Sequence, residues 1–136
     1  MRSAAILVMT AAASACAASA ISEPRTAKAE SKLARELAGK VAGAPVKCLP
    51  SHRTSDMTII DDNTILFRDG RNLVYRNDPP GGCSPMGNAG YTLVTRSFTG
   101  QMCRGDFVQV VDLTSRITAG ACSLGEFIPY QVAAAK

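Results

Sequence analysis

Asp61 and Asp62 stand side by side, followed by Asn63, with Asp106 further along the chain. Two carboxylates at one site are what glycoside hydrolysis needs, one to donate a proton and one to activate water or attack. Their setting points elsewhere. Met57–Ile60 before them and Thr64–Arg68 after them read as strands. Asp61-Asp62-Asn63 therefore has the composition of a tight connection, in which Asx side chains satisfy local backbone groups. His52 is the only histidine, and Ser51 precedes it directly. Neighbouring side chains on an extended chain point to opposite faces, so these two do not make a nucleophile–base pair, and His52 reads as a solvated loop residue. Gly81-Gly82 follows two prolines and opens no helix, unlike a phosphate-cradling loop. No residue is assigned a catalytic role and no cofactor is expected. A non-enzymatic protein is the reading. Its alternative is a small hydrolase using Asp61, Asp62 or Asp106, which requires two of these carboxylates to converge in a concave pocket.

Cysteine is the other chemistry-bearing residue type. Cys48, Cys83, Cys103 and Cys122 are spread through the chain without a C-x-x-C pair, and His52 lies at no metal-ligand spacing. Four such cysteines in a small exported domain point to two disulfides, leaving no thiol nucleophile and no metal site. Arg104-Gly105-Asp106 spells the adhesion tripeptide. Cys103 pins one side of it and Phe107-Val108 begins a strand on the other, so Asp106 reads as a strand-entrance residue bonding local backbone. The segment from Asp78 to Gly90 holds three prolines and four glycines counting its last residue, and cannot be regular structure. Loops held by a rigid scaffold carry binding residues disproportionately, which makes Arg76, Arg96 and Arg104 near this loop the candidate ligand-binding group. A plain solubilising connector is the competing reading of the loop, and a rigid projection that inhibits a secreted enzyme is a third.

The elements that would position these residues begin after an export signal. Arg2 precedes the apolar run Ala4–Ala13, too short to stay in a bilayer. Small residues then cluster before Cys16 and before Ile21, as in a secretory signal peptide over residues 1–20. Ala13-Ser14-Ala15-Cys16 also resembles a lipobox, with Ala13 in place of the usual large apolar residue, so a lipoprotein signal ending at residue 15 with Cys16 lipidated stands beside ordinary cleavage. The product is expected in the periplasm, or on the outer membrane if Cys16 carries lipid. Membrane contact is expected only through the signal peptide or that lipid.

Residues 21–45 read as a helical tether. Thr26–Gly43 is rich in Ala, Lys, Glu and Leu, with Leu33, Leu37 and Val41 as one narrow apolar stripe and Glu36–Lys40 as a helical ion pair. Gly39, Gly43 and Pro45 end it. The net charge of +4 belongs largely to this end: between Val46 and Val132 eight basic residues face eight acidic ones. A nucleic-acid binder would place its surplus on the folded face, and none is expected as a partner.

Residues 46–132 read as the β domain, with 133–136 a tail. Strands are expected at Met57–Ile60, Thr64–Arg68 and Asn72–Arg76, a meander turned at Asp69-Gly70. Further strands are expected at Tyr91–Arg96, Asp106–Asp112 and Phe127–Val132, with Pro129 marking an edge or bulge. Apolar residues on both faces, as in Ile59-Ile60, Leu66-Phe67 and Val110-Val111, predict a mainly β fold: a small barrel-like or curled antiparallel sheet of five to six strands with one N-terminal helix, stapled by two disulfides. A domain of about 90 residues buries only about 60–65 % of its unfolded surface, and each disulfide would add roughly 4 kcal/mol in the chain-entropy treatment.

With Cys48-Leu49-Pro50, Thr64-Ile65-Leu66-Phe67-Arg68-Asp69-Gly70, Leu73-Val74-Tyr75-Arg76-Asn77, Cys103-Arg104-Gly105-Asp106 and Ser123–Tyr130 in view, the chain resembles small uncharacterised exported proteins of alphaproteobacteria, in which a domain of unknown function follows a signal peptide. Leu37–Gly43 fits that group too. The resemblance implies export and a compact β-rich fold, and supplies no activity or ligand. In that group the counterparts of Cys83 and Cys122 can be missing together, which implies the pairing Cys48–Cys103 with Cys83–Cys122. The expected function is recognition of a protein or cell-envelope component.

Overall fold

The computed structural model describes residues 24–50 and 56–134. The expected signal segment with Cys16, and Ser51 and His52, lie outside the described residues.

The single helix among the described residues, α1 (Ala27–Leu37), starts where Thr26 accepts the Ala29 N–H on its Oγ at 3.3 Å, satisfying one of the helix's orphan donors. It stops six residues short of the expected Gly43. Gly39 turns the chain back at φ +70°, a conformation that costs glycine little. Lys40–Ala42 then runs as a strand, β1, antiparallel to residues 130–132. Val41 is consequently 62 % exposed rather than the third member of a helical stripe. The expected Glu36–Lys40 ion pair does not form either. Lys40 Nζ donates to the Glu36 carbonyl at 3.0 Å, while the Glu36 carboxylate pairs with Arg68.

Nine further strands follow: β2 (Cys48–Pro50), β3 (Asp56–Asp61), β4 (Thr64–Asp69), β5 (Leu73–Asn77), β6 (Tyr91–Thr95), β7 (Gln101–Cys103), β8 (Phe107–Asp112), β9 (Thr118–Ser123) and β10 (Phe127–Val132). They form three antiparallel sheets, ordered β1-β10-β5-β4-β3, β2-β7 and β6-β8-β9. The expected β3–β4–β5 meander is present. Its second turn spans Gly70–Asn72, with only Gly70 of the Asp69-Gly70 pair at positive φ. The fold is mainly β, but among the described residues the sheets do not close into a barrel, and the strands outnumber the five to six expected.

The two-sided apolar strands have a direct cause. Ile59, Ile65, Phe67 and Tyr75 of the five-stranded sheet pack with Leu93, Val108, Val110 and Cys122 of the three-stranded sheet in the main core. Ile60, Leu66 and Val74, on the opposite face, pack against Ala29 and Leu33 of α1. The layers are thus helix, five-stranded sheet, three-stranded sheet, and the middle layer is buried on both sides. Phe67 and Phe127 meet edge-to-face at its centre, with ring centroids 5.8 Å apart.

Pro129 was expected at an edge or bulge, yet β10 lies inside its sheet. The reason is local. Within a strand the N–H and C=O of one residue face the same neighbour. The Pro129 carbonyl accepts from Gly43 at 2.7 Å, just past the last β1 residue, so its missing donor falls where the short β1 has already ended.

The bridges are Cys48–Cys103, across directly paired positions of β2 and β7, and Cys83–Cys122, between the 78–90 loop and β9. This is the pairing the family resemblance implies. The loop lies down on the domain. Met86 is 1 % exposed in the main core, and a Cβ at Gly120 of β9 would stand 2.6 Å from the Ser84 carbonyl oxygen.

Candidate functional site

The three carboxylates suggested for hydrolysis are each engaged. Asp61 Oδ2 receives Arg25 Nε at 2.6 Å, and its Oδ1 receives the Asn63 N–H at 2.9 Å. Asp62 Oδ1 instead turns to the Gly87 N–H at 2.6 Å, and the Asp62 carbonyl accepts from Cys83 at 2.7 Å. The pair therefore diverges, one carboxylate toward the helix and one stapling the loop, although both border the same cavity of about 550 Å³ beneath the start of α1. Asp106 Oδ2 accepts the Cys103 N–H at 2.7 Å within the turn from β7 to β8. The adhesion tripeptide is used up in the same turn, since Arg104 Nη1 pairs with Glu126 Oε1 at 2.8 Å.

The polar centre that organises this side of the molecule was not read from the sequence. Arg25 donates to Asp61 and to Thr64 Oγ1. Buried Thr64 donates to Asp78 Oδ1 at 2.7 Å, and Asp78 holds Arg76 through both carboxylate oxygens at 3.0 and 2.9 Å. Burial works against the charge on Arg76. The Asp78 carboxylate, with Tyr130 adding to it, outweighs that, and the guanidinium's pKa lies above its ordinary value. Residues 53 positions apart are joined in one chain of bonds, which ties the segment before α1 to the meander; no pairwise sequence signal announces it.

The structure does not bring the three candidate arginines together. Arg76 is committed to Asp78. Arg104 and Glu126 border a shallow depression of about 360 Å³ with Asp78 and Ile128. Arg96 lies elsewhere, in a groove of about 350 Å³ with Val94, Phe98, Phe107 and Gln109. It makes no ion pair or side-chain hydrogen bond with the described residues.

That groove lies on the outer face of the three-stranded sheet, which no element covers among the described residues. Along β8, Val108 and Val110 point into the core while Phe107 and Gln109 point outward. Val94 of β6 pairs with Gln109 and shares their face. Phe107 is 78 % exposed, and Phe98, in the turn after β6, is 98 % exposed. The alternation in Phe107-Val108-Gln109-Val110 could have revealed Phe107 as outward-facing, because it shares parity with the polar Gln109. Phe98 sits in an irregular turn and carried no such signal. Leu113 and Ile117 are exposed at the other end of the same sheet. No helix among the described residues is long and apolar enough to cross a membrane. No protein-family model, curated protein or solved structure matches this chain.

Proposed function

We propose that this chain is an exported, non-catalytic β-domain that recognises a protein or a cell-envelope component. The observation that carries the reading is the uncovered outer face of the three-stranded sheet, where two exposed phenylalanines flank an arginine without a salt-bridge partner among the described residues. Exposed aromatic surface beside a lone cation is characteristic of recognition sites. The competing hydrolase draws no support from Asp61, Asp62 and Asp106, whose carboxylates are bound to a guanidinium or to backbone N–H groups pointing in different directions. Two disulfides are compatible with an oxidising compartment outside the cytosol. Either destination of Cys16, soluble periplasm or lipid anchor, serves the same role.

In vivo crosslinking in the intact envelope, with metabolic lipid labelling of Cys16 alongside, tests the proposal. Expected is a discrete crosslinked species on a chain whose four domain cysteines resist alkylation. A chain recovered from the cytosol with free thiols would remove the export half. Turnover lost in Asp61→Asn or Asp62→Asn would replace the binding half with the hydrolase.

A further inference from the structure

We propose that the free edge of β6 is a strand-docking site for an extended segment of a partner protein, one carrying an acidic residue two positions from an apolar residue. This rests on the reading of the chain as a binding domain and gives that binding a location and a chemistry.

Sheet edges are where an extended chain can add, because their N–H and C=O groups stand ready to pair, and folded proteins normally blunt them. β1, β2 and β7 are only three residues long. On β3, Lys32 Nζ caps the Ile59 carbonyl at 2.6 Å. On β9, the 78–90 loop lies against the inner face, with the Ser84 carbonyl over Gly120 and Cys122 bridged to Cys83. The edge of β6 has none of these devices among the described residues.

Its backbone phase follows from one bond. The Gly90 carbonyl accepts from Leu113 at 2.8 Å, on the β8 side. Alternation then gives Thr92 and Val94 the bonds to β8 and turns the N–H and C=O groups of Tyr91, Leu93 and Thr95 to the open edge. None of these groups makes a further backbone bond to the described residues.

The side chains beside that edge define the occupant. Val94 and Arg96 follow one another on the outer face, and Arg96 stands next to Phe107 in the continued register. A strand added along β6 places one outward residue opposite Arg96 and another, two positions away, opposite Val94, with Phe98 lining the same groove. The Asp106 carboxylate in the same groove is held by the Cys103 N–H through Oδ2 and makes no ion pair with Arg96. Arg96 therefore calls for an acid from the incoming strand, and Val94, Phe98 and Phe107 call for an apolar neighbour to it. In strand addition the main-chain bonds supply affinity, and alternate side chains supply specificity.

The oxidised chain is to be panned against displayed random linear peptides, and an enriched peptide titrated into isotope-labelled protein. The proposal expects enriched sequences with Asp or Glu two positions from a β-branched or aromatic residue, and added exchange protection at the amides of Tyr91, Leu93 and Thr95. Thr95→Pro deletes an outward donor while leaving the β6–β8 bonds, and should weaken binding about tenfold or more. Arg96→Glu should weaken the acidic peptide about tenfold and turn the selection toward Lys and Arg, a switch that a purely structural role would not produce. Failure to enrich any peptide, or protection elsewhere than β6, overturns the proposal. So does β6 protection that rises with protein concentration alone, which would make the occupant a second copy. Binding to anionic phospholipid vesicles that is lost in Phe98→Ser and Phe107→Ser, without peptide binding, would make it a membrane and likewise overturn it. If envelope crosslinks persist in Thr95→Pro and Arg96→Glu, the docking site fails while the binding domain stands.

Discussion

Removing the disulfides one at a time separates two contributions to stability. The bridges close loops of similar size, with sequence separations of 55 for Cys48–Cys103 and 39 for Cys83–Cys122. The chain-entropy treatment gives each about 4 kcal/mol, and the longer loop exceeds the shorter by only about 0.3 kcal/mol. Their surroundings differ far more. Cys83 and Cys122 are 2 % and 8 % exposed and belong to the main core, whereas Cys48 is exposed and Cys103 half-buried. Replacing both members by alanine in the buried pair removes two sulfur atoms from packed surroundings, at an added cost of about 1–2 kcal/mol. Cys83→Ala/Cys122→Ala should therefore be the less stable double variant, by about 1–2 kcal/mol, despite closing the shorter loop. Urea unfolding followed by circular dichroism, extrapolated to water, measures both. Against the usual total of about 5–15 kcal/mol for a folded domain, each variant should lose a large share. Equal losses, or a greater loss in Cys48→Ala/Cys103→Ala, would refute the reasoning that burial decides the order.

Other consequences can be checked separately. Gly120→Ala should destabilise the domain by about 1–3 kcal/mol, because its Cβ would stand 2.6 Å from the Ser84 carbonyl; thermal melts measure it. Phe127→Ala, at the fully buried ring against Phe67, should cost about 3–5 kcal/mol, while Phe98→Ser and Phe107→Ser should stay within about 0.5 kcal/mol of the parent. The Ser115 N–H, and after it the Thr114 N–H, hold the Asp112 carboxyl below its ordinary pKa. A depressed folded pKa means that this turn's contribution is present above the unfolded value and lost as pH falls through the folded one. The Asp112 carboxyl should therefore titrate in NMR below ordinary aspartates, with the Thr114 and Ser115 amides shifting in step.

The parts of the fold legible in the sequence were those where pattern and tertiary context agree. Short apolar runs bounded by Asp61-Asp62-Asn63 and Asp69-Gly70 located β3 to β5 to within a residue or two. β9 was missed because Thr118-Ala119-Gly120-Ala121 has weak strand propensity, and pairing with β8 decides its conformation. β2 and β7, three residues each, are too short to show a period. β1 was hidden by the alanine and lysine that made it read as helix, until Gly39 broke the run and the edge of β10 supplied bonds. Of the candidate site, Arg96 was singled out for the wrong neighbourhood. It borders the sheet face rather than the 78–90 loop, because that loop is drawn inward by Met86 and Cys83.

β10 is the last strand among the described residues and the second in its sheet, held between β1 and β5. The five-stranded layer can therefore be completed only after β10 has been made, and until then β1 has no partner strand and β5 is paired on its β4 side alone. Such long-range closure makes for slow folding. It also keeps the newly made chain in an unclosed, threadable condition until residues 127–132 are available, and any machinery that moves it unfolded would find that delay useful.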